Sequence, residues 1–262
     1  WAASNVYKRP VMMLVSRKRC SAGLLVCATL TMTFSSSASP KKTLQQDELI
    51  STVSPISLVY ECHPTLWDKG SLSTSVEFKL KPKKGRKRCE IAVQKGLERD
   101  KPFSLSFRFM VDDTYQYSNQ WHSYFQIHSF PDKGEIWRCP IMALETKNGK
   151  LRMFNRWDHK KVSSTEYGSC ASNGNSIRSR KLFEGVTYEA NVWNQFRIEG
   201  VLSTSNNECL KTYLNGVLLS ETCGPNTFND ARMPFFKLGI YKPTSWDKYP
   251  EISLKVKDLE LN

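Results

Sequence analysis

No run of about 20 consecutive apolar residues occurs in this 262-residue chain, so no segment has the length and character of a membrane-spanning helix. Nor does any stretch sustain a helical apolar period, which argues against helical layers. A glycine-rich phosphate loop is missing, and nucleotide chemistry of that kind goes with it. The eight cysteines are scattered without paired short spacings, so thiolate metal sites are not expected. Nothing in the sequence supports a metal-activated nucleophile or a Ser-His-Asp triad.

What is present begins with a leader-like segment. Arg17-Lys18-Arg19 precedes the apolar run Cys20 to Met32, and Thr33-Phe34-Ser35-Ser36-Ser37-Ala38 places small residues where a signal peptidase needs them. We read residues 1–38 as upstream residues plus a secretory signal, residues 39–55 as a linker and residues 56–262 as one domain. A mitochondrial presequence is the alternative, since the segment is basic and lacks acids, but its compact apolar run is unlike an amphipathic transit peptide. Without residues 1–38 the chain keeps 33 basic residues against 25 acidic ones, about +8, which favours an anionic partner. Six cysteines also remain, an even count that suggests up to three disulfides in a secreted chain, with fifteen pairings open.

The chain then reads as short strands. Ser75 to Lys81 and Phe103 to Val111 alternate, the latter placing Phe103, Leu105, Phe107, Phe109 and Val111 on one face. Asn148-Gly149 and Asn215-Gly216 are hairpin turns, the first joining Ile136–Leu144 to Lys150–Asn155. Mirroring Cys209 about the second turn makes a Cys209–Cys223 bridge plausible. Residues 163–180 have few apolar side chains and read as a long surface loop of the kind that covers a site. The basic run Lys79, Lys81, Lys83, Lys84, Arg86, Lys87 and Arg88 is either a solvated loop or a positive rim for a polyanion. In a secreted chain a nucleic-acid role has no context. Together these elements predict an all-β sandwich of the jelly-roll kind.

Three separated stretches carry chemistry. They are Arg88-Cys89-Glu90-Ile91, Gln126-Ile127-His128 and Phe235-Phe236-Lys237-Leu238-Gly239-Ile240-Tyr241. On strands, Arg88 shares a face with Glu90, Gln126 with His128, and Lys237 with Tyr241. In this order the stretches resemble the signature of the jelly-roll polysaccharide lyases: alginate lyases, with glucuronan lyases and heparin lyase I as relatives. The resemblance spans about residues 75–261. It departs at Cys89, at Ala92, where the family pattern has a second arginine, and at Lys242-Pro243, so substrate identity is less well indicated than reaction class.

The resemblance implies a concanavalin-like sandwich whose curved, concave sheet carries the site, and cleavage of a uronate glycosidic bond by β-elimination. Removal of the C5 proton requires the neighbouring carboxylate to be neutralised, a task that suits Arg88 and Gln126. His128 and Tyr241 are the implied base and acid, and Lys237 with Arg88 would supply the positive field a tyrosine base needs. Glu90 is expected to orient Arg88; Trp137, Arg138, Trp157 and His159 are further candidate sugar-stacking or carboxylate contacts. No cofactor is expected, although structural calcium is compatible with such a fold. The expected partner is an acidic polysaccharide, with no nucleic acid and no membrane after signal removal, and a monomer is anticipated. A silent carbohydrate-binding module is the alternative. A glycoside hydrolase would need two carboxylates about 5 to 10 Å apart, and the motif strands offer only Glu90.

Overall fold

Alternation governs the domain. In the computed structural model, which describes residues 58–62, 64–68, 75–81, 87–112, 120–242 and 251–262, all regular structure is strand. The leader, the linker and the Pro82–Arg86 part of the basic run lie outside the described residues, as does Pro243.

Fourteen strands are described. They are β1 (Leu58–Tyr60), β2 (Thr65–Asp68), β3 (Ser75–Leu80), β4 (Arg88–Val93), β5 (Pro102–Val111), β6 (His122–His128) and β7 (Met142–Lys147), then β8 (Lys150–Trp157), β9 (Arg178–Thr187), β10 (Asn194–Val201), β11 (Cys209–Leu214), β12 (Val217–Cys223), β13 (Phe235–Tyr241) and β14 (Ile252–Leu261). One antiparallel sheet has the order β1-β4-β13-β6-β7-β8-β9, and the other β12-β11-β10-β5-β14-β3-β2. The architecture is an all-β jelly-roll sandwich.

The inner faces are apolar because every second residue is. Phe103, Leu105, Phe107, Phe109 and Val111 are all buried, as are Ile91, Val93, Phe125, Ile127, Phe236, Leu238 and Ile240 from the other sheet. Phe107 of β5 meets Phe125 of β6 at 5.5 Å between ring centroids, and Phe125 meets Phe236 at 6.0 Å. Each such side chain contributes roughly 1.5–3 kcal/mol through burial.

The ladders are irregular at several points, and one of these lies near the site. Gln126 pairs with Lys237 and Ser123 with Tyr241, so two residues of β6 face three of β13 between these pairs. The same segment is irregular against β7, where Ser123 pairs with Glu145 and Phe125 with Leu144. A bulge of this kind lets Tyr124 and Phe125 both enter the core while Ser123 and Gln126 both border the cleft described below.

Both glycine hairpins form, with Asn148, Gly149, Asn215 and Gly216 at positive φ. Three disulfides join Cys62 to Cys89, Cys139 to Cys170 and Cys209 to Cys223, and the last pair is directly opposed across the β11–β12 ladder. Two expected boundaries move. The strand expected from Ile136 starts at Met142, because Arg138 turns into a buried ion pair. The loop expected to reach residue 180 ends at Ile177, whose buried side chain leads into β9.

Candidate active site

Pairing of β4 with β13 and of β13 with β6 brings the three motif stretches side by side. Tyr241 lies opposite Arg88, Gly239 opposite Glu90, Lys237 opposite Gln126 and Phe235 opposite His128. Odd-numbered β13 residues therefore share the outer face with the even-numbered ones of β4 and with Gln126 and His128 of β6. A cleft of about 790 Å³ opens there, lined among others by Arg88, Gln126, His128, Trp137, Arg138, Lys237 and Tyr241.

A chain of hydrogen bonds crosses its floor. Gln126 Nε2 donates to Glu90 Oε1 at 2.6 Å, and the Gln126 oxygen lies 3.0 Å from His128 Nε2. The amide oxygen can only accept, so His128 carries its proton on Nε2 and its lone pair on Nδ1. Its ring stacks on Phe235 at 5.6 Å. Burial, with Lys237, Arg88 and Arg156 adding, holds His128 down at about 3. It is neutral in the open cleft.

Glu61, which the motif reading missed, ties the cations together. It accepts from Lys237 Nζ at 2.6 Å and from Arg88 Nη1 at 3.1 Å. Burial pushes its carboxyl up, but Lys237 and Arg88 outweigh that and keep it below the usual carboxylate value. The Cys62–Cys89 disulfide explains the placement. Each cysteine directly follows a charged residue, so the bridge sets Glu61 beside Arg88, and Glu61 N donates to Glu90 O at 2.9 Å. An acid and a base each preceding a cysteine was the available signal, but it needed the pairing to be read.

Glu90 lies beneath these groups and is almost fully buried. Burial raises it to about 7 against the pull of Lys237, with Glu61 adding to the rise and Arg88 opposing it. Tyr241 stands at the cleft edge with the Arg88 guanidinium 5.0 Å from its ring centre. Trp137 is 58% exposed and leans edge-on against Phe235, which leaves it a free face for a sugar ring.

Arg138 differs from the other candidates. Its guanidinium is buried between Asp230 at 2.6 Å and Glu135 at 2.8 Å, with Ser129 and Ser163 as further acceptors. It braces the cleft wall. Asp132, Glu135 and Asp230 are the one group of acids with metal-ligand spacing among the described residues, and Arg138 already supplies a cation to two of them. Trp157 and His159 are absent from the cleft lining, and Arg180 covers the Trp157 ring at 4.8 Å.

The far wall holds more residues that the motif reading missed. Glu145 of β7 and Arg152, Phe154 and Arg156 of β8 face the cleft, and Cys139, Pro140, Ser169 and Cys170 close it where a disulfide pins the long loop. Arg-x-Phe-x-Arg on an alternating strand was their signal.

The family model for polysaccharide lyases matches residues 38–254. The chain belongs to the polysaccharide lyase family. This lyase is similar in structure to the endo-β-1,4-glucuronan lyase of the fungus Trichoderma reesei, with a TM-score of 0.61 and 16% identity over 85% of this chain and 93% of that one. The alginate lyase AlyC3 aligns with a TM-score of 0.50 and 16% identity, covering 72% of this chain and 74% of its own. At such identities the likeness is one of fold. No curated protein sequence matches the lyase.

Proposed function

We propose that this lyase cleaves a uronate-containing polysaccharide by β-elimination and leaves an unsaturated uronate end. The observation that carries the reading is the convergence of Arg88, Gln126, His128, Lys237 and Tyr241 on one cleft. Arg88 keeps donors beyond those given to Glu61, and Gln126 keeps a second amide hydrogen. These groups can share the charge that grows on the substrate carboxylate as C5 loses its proton.

Proton transfer falls to Tyr241 in this reading. A base held near 3 is weak, so His128 is poorly placed to take a carbon-bound proton in the open cleft. Where the C5 hydrogen and the C4 oxygen lie on one face of the sugar, a single group can remove the first and protonate the second. Tyr241, with the cationic Arg88 beside its ring, fits that double task. His128 then serves as a neutral polar wall, its tautomer set by Gln126.

Glucuronan is the first substrate to test, followed by alginate and heparin. Three disulfides support an oxidising compartment, and we place the lyase outside the cell as part of the proposal. The test incubates the purified protein with each polymer and follows ultraviolet absorbance of the conjugated double bond. A rise on at least one polymer is expected. Binding without absorbance would instead make the protein a carbohydrate-binding module, and new reducing ends without absorbance would make it a hydrolase.

A further inference from the structure

Among the described residues, five cationic side chains line the cleft: Arg88, Arg138, Arg152, Arg156 and Lys237. Four are matched by acids. Arg88 and Lys237 hold Glu61, Arg138 holds Asp230 and Glu135, and Arg152 holds Glu145 at 2.8 Å. Arg156 has no such partner among the described residues. Its Nη1 donates to the Pro140 carbonyl at 3.1 Å and its guanidinium lies 6.0 Å from the Phe154 ring centre, while the Glu145 carboxylate, held by Arg152, attracts it without forming an ion pair.

Local structure explains why this cation faces the cleft. Along β8, Leu151, Met153 and Asn155 are buried toward the core, while Arg152, Phe154 and Arg156 take the other face. Ile127, Met142 and Asn155 form one row across β6, β7 and β8. The next row sets His128 and Arg156 two strand spacings apart, about 10 Å between backbones. A guanidinium drawn partly out of water with no carboxylate at ion-pair distance carries a desolvation cost that Glu145, already paired with Arg152, only partly offsets. An anion brought by a ligand would repay it.

Charge on the opposite wall sharpens the point. Ala92 lines the cleft on β4 and supplies no cation there. Among the described residues that line the cleft, the positive charge without an ion-pair partner lies on the β8 side.

Resting on the lyase reading above, we propose that Arg156 binds the carboxylate of a sugar neighbouring the one that is cut, so that the lyase selects polymers with consecutive uronates. The guanidinium fork meets that carboxylate in two parallel hydrogen bonds. A chain in which neutral sugars alternate with uronates forfeits this contact.

The test measures binding, which does not depend on turnover. Glucuronan oligosaccharides, and the same oligosaccharides with about half of their carboxyls reduced to alcohols, are titrated calorimetrically into the Tyr241→Phe protein with Arg156 intact or changed to Gln. With Arg156 intact, the fully acidic ligand is expected to bind about tenfold tighter or more. Arg156→Gln is expected to remove most of that preference, and Arg156→Lys to retain part of it. Equal binding of both ligands with Arg156 intact overturns the proposal without any Arg156 variant, as does a preference that survives Arg156→Gln unchanged. No binding of either ligand overturns it as well. Should wild-type protein bind through Arg156 yet release no unsaturated product, the lyase chemistry fails and this inference stands; a lyase that ignores Arg156 gives the reverse.

Discussion

Gln126 and His128 are two residues apart on β6, and the amide oxygen of the first meets Nε2 of the second at 3.0 Å. Glu90 holds the other end of the amide at 2.6 Å, so the carboxamide cannot turn over without losing both contacts. One side chain thereby does two things. It presents an N–H toward the growing negative charge, and it dictates the imidazole tautomer.

Gln126→Ala should therefore lose more than a binding contact. Removal of one donor from a preorganised anion site costs on the order of 10²–10³ in rate. We expect kcat to fall by that factor on whichever uronan is cut. Nitrogen NMR should show the Nε2–H tautomer of His128 in the wild type and a mixture in the variant. An unchanged tautomer would separate the two roles.

Tyr241→Phe keeps the ring beneath the Arg88 guanidinium and deletes only the hydroxyl. Turnover, followed by the absorbance of the unsaturated product, should drop to background. Affinity for a glucuronan oligosaccharide, measured calorimetrically, should stay within about threefold. His128→Gln should retain measurable turnover if Tyr241 carries the proton both ways, and complete loss there would return the base to the imidazole.

How much of this was legible in the chain follows from how local each signal is. Phe103 to Val111 announced its buried face because alternation is a property of adjacent residues, and Asn148-Gly149 and Asn215-Gly216 announced their turns for the same reason. The motif stretches could be named, but their adjacency is a matter of sheet order, since β4, β13 and β6 are neighbours only across long connections. Glu61 was hidden because its partner Lys237 is 176 residues away. The bracing of Arg138 was only half visible: Glu135 is three residues before it, but its other acid, Asp230, comes 92 residues later. The bulge at Tyr124 left no mark in the sequence, because an aromatic residue suits either face of a strand.

Gly239 offers a test of the sheet beneath the site. Its φ is +135°, and a Cβ there would lie 2.3 Å from the Cys89 carbonyl oxygen and 2.7 Å from Glu90 Cα. Those atoms are backbone of β4 and cannot swing aside. Gly239→Ala should part β4 from β13, lower stability by about 3 kcal/mol or more in urea unfolding, and abolish activity with it. A variant of near-native stability would show that the two strands can separate cheaply.

Acid should destabilise the lyase through its buried imidazoles. Burial lowers both His122 and His128 from 6.5 to about 3, helped in His128 by Lys237, Arg88 and Arg156 and in His122 by Lys242. Between those values the unfolded chain binds protons that the fold refuses, so stability falls as pH drops through 6.5 toward 3. Glu90 works in the opposite sense. Its carboxyl rises from 4.5 to about 7, and the stability this contributes is present below 4.5 and lost as pH rises through 7. A difference measurement isolates the imidazole at the site. Relative to wild type, His128→Gln should gain about 2.5 kcal/mol in urea unfolding on going from pH 7 to pH 4.5, because the variant no longer has a refused proton at that position. If the two proteins keep a constant difference across that range, His128 is not held neutral by its surroundings, and the argument that hands proton transfer to Tyr241 loses its basis.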